Sequence, residues 1–389
     1  MKTLHIIPHP VTACEDNMLQ RSCTLSYRDG STIEHEDILW FRFPDSITAP
    51  DDHDADSYLI AALFVAMESK RKLIINGQIT KTLLVNLTEM MYAWQSWLPN
   101  TYRVIEIEAD TIVERASQQS PDIFNKTLSA FSGGVDATFT VWAHTQKKLG
   151  ALSREITSSV LVHGFDIPLK DEQAFQNAYT RSQTTLDSLQ IKLIPLKTNF
   201  REVITTNWEH TCAAALAAAC SNLKSIAGHL LIGSSEPYNA LFIPWGSSPI
   251  TDHLLSSDAF KIIHDGAAFT RTDKIRHIAE WPEGLKNLRV CWVGEHKDKN
   301  CGQCEKCVRT ALNFKAHNLP VPDCFDDRTF DSRKIMGIRR ISDLGQNEWR
   351  STYRVAKENG LNEPWMQTLQ LKVRIEQAKS LAKKLLVPR

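Results

Sequence analysis

Between residues 127 and 233 the chain alternates short apolar runs with amphipathic stretches, and that alternation leaves few folds open to it. Residues 127–131, 159–164, 191–196 and 229–233 read as strands, and 136–149, 171–189 and 201–223 as the helices between them. Strands joined by helices must run parallel, and such crossovers cover the sheet on both faces. The expectation is therefore an α/β fold with a doubly wound parallel sheet. The Ala-rich run within 211–220 suits close packing against that sheet. Ligands of such sheets bind beyond the carboxyl ends of the strands.

The first of these strands ends in Phe131-Ser132-Gly133-Gly134-Val135-Asp136 and turns into a helix. Glycines let backbone approach an anion closely, and a helix N-terminus offers free N–H groups and the positive end of its dipole. Ser132 and Thr138 add hydroxyl donors. Asp136, in the first helical turn, is placed to hold magnesium or to orient phosphate through it. A plain strand-to-helix turn would use glycine for geometry alone; the position at the ligand edge favours the phosphate role. No Gly-Lys-Ser or Gly-Lys-Thr follows, so this is not a Walker loop, and a Rossmann fingerprint would need a third glycine.

Four of the nine cysteines fall within seventeen residues: Cys291, Cys301, Cys304 and Cys307. Four soft ligands close a tetrahedral structural zinc site, here with two overlapping Cys-x-x-Cys units and Cys291 as the fourth corner. An iron–sulfur cluster is the rival, because softness alone does not separate the two. An odd cysteine count in a chain of 389 residues does not resemble a disulfide framework.

The Ser-Gly-Gly-x-Asp segment resembles the loop of the PP-loop ATP pyrophosphatases, of adenine nucleotide alpha hydrolase-like fold, with Ala137 where that family usually has serine. The loop and the later Cys-x9-Cys-x2-Cys-x2-Cys, running on into Lys306 and Arg309, together resemble the 7-cyano-7-deazaguanine synthases over roughly residues 126–312. The segment Phe269-Thr270-Arg271-Thr272-Asp273-Lys274-Ile275 sits where those enzymes begin a short helix. The resemblance implies binding of ATP and Mg2+ by residues 131–136 and Thr138, with a structural Zn2+. It implies adenylation of a substrate carboxylate with release of pyrophosphate, then displacement of AMP by a nitrogen nucleophile. Ser132, Asp136 and Lys274 would carry catalysis, and Arg271 would clamp phosphate. His163, Asp166 and Gly233, at neighbouring strand ends, complete the expected nucleotide site. Ser234, Ser235, Glu236 and Trp245 are the expected substrate contacts, and they differ from the family's base-binding segment, which marks a divergent relative. The substrate would be a small, deazapurine-like carboxylate or a macromolecular one.

Thiolation by a PP-loop enzyme is a second reading, weakened because the clustered cysteines look committed to metal. A nucleotide sensor without turnover is a third, favoured by Ala137. An amide ligase of the asparagine-synthetase kind would need cysteine after the initiator Met, and Lys2 stands there.

Three segments are expected: an α+β domain over 1–122, the nucleotide domain with its zinc loop over 123–325, and a helical segment over 326–389. Asp252-His253 and His264-Asp265 read as neighbouring polar pairs, and Cys212 and Cys220 as small buried hydrophobes. Lys plus Arg and Asp plus Glu number 45 each, so no net charge draws the protein towards nucleic acid, and no such partner is indicated. No run is apolar and long enough to cross a bilayer, and no convincing signal peptide is visible, so a cytoplasmic location is expected. Homo-oligomerisation is left open.

Overall fold

The computed structural model describes residues 1–114, 120–291, 293, 294, 296–325 and 330–386. The expected C-terminal segment is thus described over 330–386 only. The first third contains β1 (Lys2–Pro8), β2 (Thr12–Cys14), β3 (Met18–Asp29), β4 (Thr32–Pro44), α1 (Asp56–Ser69), β5 (Lys72–Thr80), α2 (Lys81–Trp97) and β6 (Ile107–Val113). The middle contains α3 (Pro121–Phe124), β7 (Thr127–Ala130), α4 (Val135–Thr145), β8 (Ile156–His163), α5 (Glu172–Asp187), β9 (Lys192–Thr198), α6 (Phe200–Val203), α7 (Trp208–Cys220), β10 (His229–Gly233) and β11 (Lys261–Asp265). Then come α8 (Arg271–Ile278), α9 (Pro282–Lys286), α10 (Glu305–Ala316), α11 (Ser332–Gly337), α12 (Asp343–Glu358) and α13 (Pro364–Leu386).

The strands form one mostly parallel, mixed sheet in the order β11-β10-β7-β8-β9-β4-β3-β1-β5-β6. From β11 to β9 every pair is parallel. Alternate residues of these strands point to opposite faces. Leu161 and Leu193 join Val141 of α4 and Phe175 of α5 in one core. Val160, Val162, Ile194 and Leu196 join the alanines of α7 in another. Both faces are covered, which explains why these strands read as continuous apolar runs.

The sheet continues into the first third through an antiparallel seam between β4 and β9, pairing Phe41 with Thr198 and Arg42 with Lys197. Asn199 extends it: its Oδ1 accepts from Trp40 N (2.9 Å) and its Nδ2 donates to Ile38 O (2.7 Å). Residues of α1, α2 and β1 share a core with α7 and β10, so sheet and packing run across position 122.

The stretch read as one helix over 201–223 is broken. Asn207 caps α7 by accepting from Glu209 N (3.0 Å), which leaves residues 204–207 non-helical. β11 is a strand that the sequence does not single out, because five residues with polar ends carry little periodic signal. No helix among the described residues is long and apolar enough to cross a membrane.

Candidate active site

Leaving β7, the chain moves to β8 and β9 on one side, then returns to β10 on the other. The crevice of such a sheet opens where the order reverses, at the carboxyl end of β7. Phe131 extends that strand by donating its N–H to Val160 O (2.8 Å), and Ser132 is exposed beyond it. Gly133 takes φ +77°, a backbone region costly to other residues. Gly134 is the N-cap of α4, so the first N–H groups of that helix have no intrahelical acceptor and face the crevice end.

Gly233 ends β10 against this turn: a Cβ there would stand 3.0 Å from Asp136 C and O and 3.2 Å from Ala137 N. Those are backbone atoms that cannot swing aside. Gly233→Ala is expected to lower stability by about 1–3 kcal/mol through overpacking and, if the turn has the nucleotide role expected from the sequence, to weaken ATP binding. Thermal melts and equilibrium titration with ATP check both; an unchanged ATP affinity would free this glycine of any role in shaping the loop.

Helix α8 begins with a capping box in which Thr270 Oγ1 accepts from Asp273 N (3.1 Å) and Asp273 Oδ2 accepts from Thr270 N (3.0 Å). Arg271 and Lys274, three apart, therefore share a face of its first turn. Both reach Asp136: Arg271 by its NH2 nitrogen to Oδ2 (2.6 Å), Lys274 by Nζ to Oδ1 (3.2 Å). Burial pushes the Asp136 carboxyl up, but the two cations outweigh it and hold the group at about 2. Lys274 also donates to Ser234 O. The pairs continue away from the loop. Arg271 donates to Glu348 (2.9 Å), Glu348 pairs with Arg309, and Arg309 donates to Glu305 (3.2 Å).

A cleft of about 110 Å³ lies over the loop, walled by Arg271, Arg289, Lys306 and Arg309 with Asp136 and Asp166. Arg289 closes directly on the turn, donating its backbone N–H to Gly133 O (2.8 Å) and its guanidinium to Ser132 O (3.0 Å). These four cations, two of them shared with Glu348 and Glu305, stand at a helix N-terminus and suit an anionic ligand. A second cleft, of about 290 Å³, adjoins it and shares Ser132, Gly134, Asp136, Asp166 and Arg289. Its further walls are mainly apolar and aromatic, including Val160, Ile232, Phe165, Trp208 and Trp245, with Ser235 and Ser247 as polar points. An anion site opening onto an apolar, aromatic slot has the shape and chemistry for a nucleotide or another flat molecule bearing phosphate.

Several expected contacts lie elsewhere. Thr138 is buried and lines neither cleft: two residues on from Asp136, it points to the far side of α4. Ala137, beside it, does line the larger cleft. His163 is buried under the strand end, stacked on Phe175 at 4.4 Å and bonded through Nε2 to Pro168 O (2.9 Å). Ser234 is a turn former: its Oγ accepts from Glu236 N (3.2 Å) and donates to Glu236 O (2.6 Å). The polar pairs are exchanged. Asp252 accepts from His264 Nδ1 (2.8 Å), and Asp265 bonds His144 (3.0 Å) and Thr140 (2.7 Å), all buried or nearly so. Arg289, two residues before Cys291, belongs to no motif legible in the sequence, and neither do Phe165 and Trp208.

Glu236 lies outside both clefts, and burial pushes its carboxyl up to about 7, against the pull of Phe242 N, His264 and Arg271. A raised carboxyl binds more protons folded than unfolded, so its contribution falls as pH rises from about 4.5 through about 7. Glu236→Gln, which keeps an oxygen to accept from Phe242 N, is expected to be more stable than wild type at pH 8 and no different at pH 4. Thermal midpoints across that range check this; a variant destabilised equally at both ends would refute it.

The cysteines converge as their spacing implied. The Sγ atoms of Cys291, Cys301, Cys304 and Cys307 all lie within 4.8 Å of one another, with Cys291–Cys304 at 3.7 Å and Cys301–Cys307 at 3.9 Å. This cluster can hold a metal ion such as zinc. It also touches the cationic cleft. Asn300 Oδ1 accepts from Val290 N (2.9 Å), fixing the strand of chain that carries Arg289, and α10 starts directly after Cys304 with Lys306 in its first turn. Compared with family models, with curated proteins and with solved structures, the chain matches none.

Proposed function

We propose that the protein binds Mg-ATP over the Ser132–Asp136 loop and transfers AMP to a substrate carboxylate, releasing pyrophosphate, as a divergent member of the PP-loop ATP pyrophosphatases. A nitrogen nucleophile would then displace AMP, in the manner of the deazaguanine synthases. The observation that carries this is the cleft of Arg271, Arg289, Lys306 and Arg309 at the N-terminus of α4. A pyrophosphate leaving group develops charge there, and fixed cations and N–H groups stabilise it without reorganising. The adjoining apolar slot suits a nucleoside and the acid it activates. Carboxylates are poor electrophiles, and AMP supplies the leaving group they lack. Asp166 lines both clefts and would supply the carboxylate to magnesium, joined by Asp136 where phosphate takes over its cations.

In a tetrahedral site with Zn–S bonds of about 2.3 Å, sulfurs stand about 3.8 Å apart. The observed 3.7 and 3.9 Å support one zinc ion rather than a cluster whose thiolates sit on separate irons. Thiolation is disfavoured because Cys212, on the slot wall, has its thiol pushed up to about 12 by burial. The sensor reading rests on Ala137, which puts a methyl where a hydroxyl would face the ligand.

The test is product analysis with ATP, magnesium and a panel of purine-like and deazapurine-like carboxylic acids. AMP and pyrophosphate in equal amounts are expected. ADP as product would overturn the reading, and saturable ATP binding without turnover across the panel would favour the sensor.

A further inference from the structure

We propose that the cavity between the Glu236 loop and α12 is the binding site of the nitrogen nucleophile, a small primary amine bearing an anionic group, with Glu236 as the acceptor of its proton. The chemical step rests on the adenylation reading; the binding site does not.

The cavity measures about 190 Å³ and is lined by Glu236, Asn239, Arg271, Arg350, Ser351 and Arg354 among others. Glu236 is 4% exposed. Its Oε2 accepts from Phe242 N (2.6 Å), while its Oε1 is buried with no hydrogen-bond partner among the described residues. Across the cavity, on α12, Ser351 Oγ is buried and equally without one among the described residues. Buried polar atoms left unsatisfied are costly, and two facing one cavity mark a place where a ligand completes the bonding. Both oxygens can accept, and a group with several N–H hydrogens, such as an ammonium, complements the two together.

Free ammonia does not account for the space. It is about the size of a water molecule, whose share of liquid volume is about 30 Å³. The remaining room leads to α12, where Arg350 and Arg354 are exposed. Arg354 pairs with Glu358 (3.1 Å), and Arg350 donates to the neutral amide oxygen of Asn347 (3.1 Å). Arg350 is thus placed to receive a carboxylate or similar anion from a ligand whose amine lies on Glu236.

Arg271 joins this cavity to the reaction centre, since it lines both the cavity and the cationic cleft. His264 faces Glu236 with its Nδ1 held by Asp252 and its Nε2 unbonded among the described residues. The groups bearing on Glu236 are therefore His264 and Arg271, with Glu348, Arg350 and Arg354 across the cavity. A carboxyl near 7 can take a proton from an ammonium ligand near neutrality and pass it on.

The ligand's ammonium gives one proton to the Glu236 carboxylate. The freed lone pair attacks the carbonyl carbon of the acyl adenylate, forming the C–N bond. The C–O bond to AMP breaks with its electron pair on the phosphate oxygen. The second nitrogen proton passes to solvent, leaving an amide.

The test is calorimetric titration of the full chain with glycine, β-alanine and γ-aminobutyrate, with ammonium chloride and sodium acetate as single-group probes. At least one aminocarboxylate is expected to bind about tenfold or more tightly than either single-group probe, and Glu236→Gln and Arg350→Ala are each expected to weaken it about tenfold. Thermal melts of the same preparations show that each variant is folded. No binding by any aminocarboxylate, ammonium binding as tightly as they do, or full affinity in Glu236→Gln would each overturn the proposal. None of these results depends on turnover, so failure of the adenylation reading is scored separately by AMP formation.

Discussion

Asp136→Asn is expected to lower formation of AMP and pyrophosphate by at least about 10²–10³-fold, the size of effect seen when one preorganised electrostatic group at a transition state is lost. The reason lies in its two partners. Asp136 is ionised throughout the neutral range, held at about 2, and each of its oxygens faces a cation, Arg271 or Lys274. Asparagine keeps the shape and one acceptor but loses the charge that fixes both cations beside the loop. Burial already pulls Lys274 below the usual lysine range, and without Asp136 opposing it the ammonium would deprotonate more readily.

The same substitution carries a pH signature. Going from an ordinary 3.8 to about 2 is worth roughly 2–3 kcal/mol. A depressed carboxyl contributes above its unfolded value and loses that contribution as pH falls through the folded one. The stability deficit of Asp136→Asn should therefore be constant from pH 5 to 8 and shrink between about 4 and 2. Denaturant titrations across pH read the deficit, and coupled pyrophosphate release reads the rate. A folded variant that turns over at the wild-type rate would remove Asp136, and with it the loop, from the chemistry.

What could be read from the residues follows how local each signal was. The parallel sheet was legible because β7 to β10 are buried on both faces and separated by helices of ordinary length. The Ser-Gly-Gly turn was legible because glycine and a helix start are adjacent in the chain. The four cysteines carried their own spacing. The cationic cleft was less so: Arg271, Arg289, Lys306 and Arg309 come from three separate segments, and nothing in a run of residues says that they face one point. His163 and Thr138 show the opposite failure. Each sits beside a legible motif, yet helix and strand periodicity turn their side chains to the interior. The exchange of partners between Asp252, His264, Asp265 and His144 has a similar cause, since adjacent residues on a strand point to opposite faces. The seam between β4 and β9 depends on Asn199 and on a long-range pairing that no local pattern encodes.

The four-cysteine cluster draws these separate segments together, and Cys307→Ser is the second variant with a large expected effect. Cys307 is fully buried at the start of α10 and packs in one core with Trp349 of α12 and Trp365 of α13. Removing one thiolate from a four-cysteine site should bring the metal content from about one ion per chain to near none, because structural zinc in such sites contributes about 10–16 kcal/mol that depends on a full ligand set. Two consequences separate a structural metal from an incidental one. Arg289 and Lys306 flank the cluster, so ATP affinity should fall about tenfold or more as the cleft loses its fixed walls. Hydrogen exchange should rise in α10 and residues 330–386, which share the cluster's core, and stay unchanged in β1 to β6, which do not. Chelation of the wild-type protein should reproduce both effects and zinc should reverse them, whereas zinc should not restore the variant. Elemental emission on the purified chain identifies the ion directly. Iron in place of zinc would move the proposed chemistry towards sulfur transfer, and a metal-free Cys307→Ser that bound ATP normally would show that the cationic cleft stands without the cluster.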